Sequence, residues 1–129
     1  MPGPKYSVGN GQQEAGMQGG LTVSVSTNGT SAIVTVAGEI DVDSAAAVRD
    51  RLFECVEQGS TRLVIDCSEL DFCDSTGLNA FLAARLRAQA AGGAVHLVGV
   101  QPAVARVFEI TGAVQGFTFH ETLAEAVGE

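Results

Sequence analysis

At Asp74-Ser75-Thr76-Gly77 a carboxylate stands beside two hydroxyls and a glycine, between two apolar runs. Two kinds of chemistry suit that pattern. Asp74 or Ser75 can cap a helix by accepting from its orphan N–H groups. Alternatively, a hydroxyl can be presented at the surface to carry a modifying group. Capping accounts for one side chain but not for Gly77, which costs up to ~1 kcal/mol against Ala inside a first helical turn. Something must require the missing side chain, and close approach by another backbone is one such reason. A phosphate on Ser75 would meet the free amides and partial positive charge of a helix start. It would also add about −1.5 to −2 charges beside Asp74, enough to disrupt an acidic-to-basic or tightly packed interface. The residues by themselves leave cap and switch both open.

Other chemistries find less support. A serine nucleophile needs a base and an orienting acid. The only imidazoles are His96 and His120, no motif ties either to Ser75, and GxSxG is absent. No catalytic residue is assigned, and each histidine reads as structural, with His96 facing the core or a helix. Cys55, Cys67 and Cys73 are odd in number, form no CxxC pair and lie within or beside apolar stretches. They read as buried reduced thiols, with no metal site and no cofactor expected.

The elements that must position DSTG are legible as strands alternating with short helices. LTVSVS and AIVTVAGEI alternate with period two around TNGT, where Asn28-Gly29 suits the positive φ values of a tight hairpin turn. DSAAAVRDRLFECVEQG carries Ala45, Val48, Leu52 and Cys55 or Val56 at helical spacing behind an Asp43 or Ser44 cap, and it ends near Gly59. TRLVIDC is a short run suited to a strand buried on both faces. In STGLNAFLAARLRAQAAGG, Leu78, Phe81, Leu82 and Leu86 lie on the inward side of a helix. AVHLVGV reads as a strand, and QPAVARVFEITG as a helix with Val104, Val107 and Phe108 inward and Gly112 as its stop. GFTFH and ETLAEAVGE follow as a short strand and a last helix. The fold class is α/β, with a mixed sheet that opens with an antiparallel hairpin and is otherwise mainly parallel.

Residues 1–20 are rich in glycine and nearly without apolar side chains, and read as a flexible tail; residues 21–129 form one domain. With 7 Lys plus Arg against 15 Asp plus Glu, the net charge is −8, which repels a phosphate backbone, so nucleic acid is not the expected partner. An acidic surface suits encounter with a basic protein and serves plain solubility equally well, so charge alone names no partner. The opening MPGPKYSVGN lacks the apolar core of a signal peptide, and no stretch approaches ~18 uninterrupted apolar residues, so a cytoplasmic protein without membrane insertion is expected.

GEIDVDSA (38–45), LVIDCSELDFCDSTGLNAFL (63–82) and ITG (110–112) occur in an order and spacing that resembles the STAS domain of bacterial anti-sigma factor antagonists, over residues 21–127. The resemblance implies a regulatory binding protein rather than an enzyme. Its implied partner is an anti-sigma factor with serine kinase activity, and a serine phosphatase would reverse the modification. Unphosphorylated, such a protein occupies the anti-sigma factor and frees the sigma factor; phosphorylated, it lets go. The resemblance puts the phosphoacceptor on Ser75 and the partner interface on Asp41, Asp74, Thr76 and Gly77. A scaffold or accessory subunit of a signalling complex or lipid transporter, without regulated phosphorylation, is the alternative use of the same fold. Asn79, where the family usually has Gly, and Cys73, where a larger apolar residue is common, depart from the pattern.

Overall fold

In the computed structural model, which describes residues 14–18 and 20–127, ten elements run along the chain. They are β1 (Glu14–Gln18), β2 (Leu21–Asn28), β3 (Ser31–Ile40), α1 (Ala45–Glu57), β4 (Arg62–Cys73), α2 (Ser75–Ala90), β5 (Ala94–Val98), α3 (Pro102–Thr111), β6 (Thr118–His120) and α4 (Leu123–Ala126). The six strands form one sheet in chain order. β1, β2 and β3 pair antiparallel, and β3 to β6 pair parallel. This is the mixed α/β architecture expected from the sequence. No described helix is long and apolar enough to cross a membrane.

Alternation decides which face each strand buries. Val23, Val25, Ala32, Val34 and Val36 point into a large core beneath α1, α2 and α3. β4 is buried on both faces: Leu63 and Ile65 join that core, while Val64 joins Val98 and Ala126 on the opposite face, with Ile33 and Leu123 packed beside them. α4 therefore covers the second face of the sheet. Inward residues on β4 continue as Cys67, Leu70 and Cys73, three apart instead of two. Two register shifts against β3, between Thr35 and Ala37 and between Gly38 and Glu39, explain the spacing. Each shift adds one residue to β4; the first reverses which face its side chains take and the second restores it. The strand therefore continues to Cys73, beyond the apolar run that ends at Cys67.

Several other sequence expectations need adjustment. Asn28 pairs with Ser31 at the end of the hairpin, and of the two turn residues only Gly29 has positive φ, at 65°. A tail over residues 1–20 does not describe Glu14–Gln18, which pair with β2. Backbone hydrogen bonding along an open edge needs no apolar side chain, so composition carried no sign of it. Residues 1–13, 19 and 128–129 lie outside the described residues, and the rest of the tail and domain boundary with them. Leu86, expected inward, is 60% exposed. It lies nine residues from buried Gly77, about half a turn round the helix, while Ala80, Ala84 and Ala88 take the buried stripe. Val104 and Phe108 are buried as expected, Val107 only partly, and Gly112 ends α3 in the left-handed conformation.

Gly38, the first residue of GEID, owes its place to a close approach. Its φ is 106°, and an added Cβ would stand 2.0 Å from the carbonyl oxygen of Gly20. That carbonyl also accepts from the N–H of Glu39 at 3.2 Å. Gly38→Ala should lower the unfolding free energy by ~1–3 kcal/mol, measured by urea denaturation. Gly20→Ala, where an added Cβ meets nothing within 4 Å, should change it by less than ~0.5 kcal/mol.

Candidate functional site

β3 and β4 run parallel and end side by side, with Ile40 opposite Cys73. The acid that follows each strand is therefore delivered to the same edge of the sheet, Asp41 after β3 and Asp74 after β4. The N–H of Asp74 donates to the carbonyl of Ile40 at 3.2 Å, tying the two loops together. GEID and DSTG, more than thirty residues apart in sequence, become one surface at the carboxyl ends of parallel strands.

Asp74 is the N-cap of α2. Its Oδ1 accepts from the N–H of Thr76 and of Gly77, each at 3.0 Å, and from the Thr76 hydroxyl. These bonds, led by the Thr76 hydroxyl, hold the carboxyl below the usual aspartate range. Ser75 is exposed, and its hydroxyl makes no hydrogen bond among the described residues. The two neighbouring hydroxyls thus differ: that of Thr76 is engaged and half-buried, that of Ser75 is free.

Gly77 is buried. An added Cβ there would come 2.6 Å from Ile40 Cγ2 and 2.8 Å from Cys73 Sγ. The close approach that the glycine serves is made by these side chains beneath α2, rather than by another backbone. Of the four residues assigned to the interface, Gly77 therefore lies beneath the surface and acts by letting α2 settle against the strand ends.

Asp41 holds its own loop in shape. Its Oδ1 accepts from the N–H of Asp43 at 3.0 Å and from the N–H and hydroxyl of Ser44 at 3.3 Å each. Its N–H donates to Ser44 Oγ at 3.1 Å. Ser44 occupies the N-cap position of α1 without capping it through its side chain. Buried Ser44 was missed as a partner of Asp41, and only the Asp-x-x-Ser spacing could have suggested it. Val42, next along the loop, is 70% exposed and lines a cleft of about 400 Å³ with Ala46, Arg49, Thr76 and Asn79. On the other side of α2, Ser75, Asn79 and Arg85 line a groove that includes Thr111 and Gly112 of the ITG element.

The remaining candidates fall elsewhere. Cys55, Cys67 and Cys73 are free and buried. Burial raises the Cys67 thiol far above its usual range and pushes that of Cys73 up to about 12, which keeps both protonated and unreactive. His96 and His120 stack on each other, with Nδ1 of one 3.0 Å from Nε2 of the other, instead of serving Ser75.

A family model described as STAS domain matches residues 22–126. The anti-sigma-B factor antagonist of Bacillus subtilis is 36% identical over 92 residues, which cover 71% of this chain and 84% of that protein. An anti-sigma factor antagonist from Mycobacterium paratuberculosis, solved by crystallography, superposes with a TM-score of 0.74 at 30% identity, covering 83% of this chain and 91% of the other. The anti-sigma factor antagonist SpoIIAA in its unphosphorylated form matches at a TM-score of 0.70 and 21% identity over 90% and 93% of the two chains, a likeness of fold.

Asp74→Ala removes the cap and should cost ~0.5–2 kcal/mol at neutral pH. The folded-state pKa of Asp74 is lowered, so its contribution is complete above the unfolded value of about 4 and is lost as pH falls through the folded one. The gap between wild type and variant in unfolding experiments should therefore be constant from pH 7 to about 5 and shrink below about 4. Gly77→Ala should destabilise by ~1–3 kcal/mol through overpacking against Ile40 and Cys73, at every pH tested.

Proposed function

Because the chain belongs to the STAS-domain family of anti-sigma factor antagonists, we propose that it is itself such an antagonist, switched by phosphate on Ser75. Unphosphorylated, it binds an anti-sigma factor with serine kinase activity and so releases a sigma factor; phosphorylated, it dissociates, and a serine phosphatase restores it. It acts in the cytoplasm, by binding, and performs no chemistry of its own.

The observation that carries this reading is the contrast between the two hydroxyls. Transfer of a phosphoryl group needs an acceptor oxygen that a kinase can reach without dismantling the fold, and Ser75 is exposed with a hydroxyl that makes no hydrogen bond among the described residues. Thr76 donates its hydroxyl to the cap carboxylate and is half-buried, which suits a structural role. Asp41, Asp74 and Thr76 would line the docking surface around the acceptor, with exposed Val42 as an apolar contact. A phosphate added there stands next to Asp74, so two negative groups would have to be desolvated together on re-docking.

Since Asp74 rather than Ser75 is the cap, Ser75→Ala should leave stability within ~0.5 kcal/mol of wild type while removing the acceptor. It should bind the anti-sigma factor constitutively in titration calorimetry. Ser75→Asp should fold equally well and bind more than a hundredfold more weakly, a loss of about 3 kcal/mol. Thr76→Ala should still be phosphorylated by the kinase, at Ser75 by mass spectrometric mapping. Equal affinities for Ser75→Ala and Ser75→Asp would overturn the switch and return DSTG to a helix start within a scaffold.

A further inference from the structure

Asp74 already uses the start of α2. Its Oδ1 takes the N–H groups of Thr76 and Gly77, and its carbonyl takes that of Leu78 at 2.9 Å. Of the first four amides of the helix this leaves only the one on Ser75. A phosphate on Ser75 therefore finds one amide, that of its own residue, instead of the several that ordinarily hold an anion at a helix start, and it also stands beside a carboxylate. Its other donors must come from elsewhere.

One turn along the helix, Asn79 is exposed and lines the same groove of about 710 Å³ as Ser75. Residues four apart on a helix have Cβ atoms about 5–6 Å apart, and side chains lean toward the helix N-terminus, which here means toward Ser75. The Asn79 side chain makes no hydrogen bond among the described residues, so both of its amide N–H donors are available. The groove is lined by no carboxylate, and its one charged lining residue is Arg85. Arg49, Arg51 and Arg87 each hold a carboxylate. Among the described residues Arg85 holds none; it lies over the Phe117 ring, and its Nε finds no acceptor there. In a chain of net charge −8, this puts a cation in the same groove, about 15 Å further along α2 by helix rise.

We infer that the side-chain amide of Asn79 holds the phosphate on Ser75, and that Arg85 draws it into the groove between α2 and residues 111–116. The inference rests on the reading of Ser75 as acceptor. It adds that the switched-off form carries its anion lodged against α2 at the Asn79 end of the groove, rather than free in solvent.

The test uses the full chain with phosphoserine installed at position 75 by genetic encoding, so that no kinase is needed. A donor to the dianion lowers the second phosphate pKa, ordinarily about 6. In ³¹P titrations, Asn79→Ala should raise that pKa by about 0.3–1 unit. Arg85→Ala should raise it by less, because the guanidinium acts from further away through solvent. Asn79→Ala places a better helix former on an exposed face, so the variant should fold. The Asn79 side-chain ¹⁵N–¹H signals should titrate with the phosphate in the modified protein and stay fixed in the unmodified one. A pKa unchanged in Asn79→Ala, or moved more by Arg85→Ala than by Asn79→Ala, would overturn the assignment. Either result would leave the switch itself to the Ser75→Ala and Ser75→Asp comparison.

Discussion

The opposition of Ile40 and Cys73 at the ends of two parallel strands is the contact on which the rest of the site depends. It places Asp41 and Asp74 at one edge, lets the Asp74 amide reach the Ile40 carbonyl, and builds the floor on which α2 rests. Only a residue without a side chain fits between that floor and the first turn of the helix, which is why position 77 is glycine. The opposition is not a default outcome of strand pairing. From Thr35 to Ile40 there are five steps and from Asp66 to Cys73 seven, and the two bulges take up the difference while keeping both terminal residues inward.

On this floor the four residues of DSTG have separate tasks. Asp74 closes the helix start, Thr76 fixes the carboxylate, Gly77 sets the depth of the helix, and Ser75 alone is left facing outward. The motif is dense because three residues hold still a fourth whose own side chain is not needed by the fold. A side chain the fold does not need can change charge without unfolding the protein.

Much of this is legible in the amino-acid sequence. Period-two alternation marked β2 and β3, and Ala45, Val48, Leu52, Cys55 and Val56 at helical spacing are the buried face of α1. Gly112 was readable as a stop because only glycine takes that conformation cheaply. The extent of β4 was hidden, because polar Ser68, Glu69 and Asp71 end the apolar run while the bulges keep them on exposed faces of a strand. β1 was hidden because edge pairing uses the backbone, which composition does not report. Leu86 misled because a leucine near the inward stripe counts toward it, whereas beyond Phe81 the buried positions are taken by Ala84 and Ala88. Within the site, the sequence left the cap undecided between Asp74 and Ser75. The choice depends on which oxygen reaches the Thr76 and Gly77 amides, a matter of ångströms that residue types do not encode.

The strand order of the sheet is the order of the chain, and this has a consequence for assembly. No strand has to be threaded between two that are already paired, so each new strand adds to an open edge left by the one before it. Every connection spans at most one helix, and the loop that must close at each step stays short. The two halves of the site come from consecutive strands of this series, Asp41 from β3 and Asp74 from β4. The edge that carries both acids thus needs nothing beyond α2, while the groove beside Ser75 waits for residues 111–116.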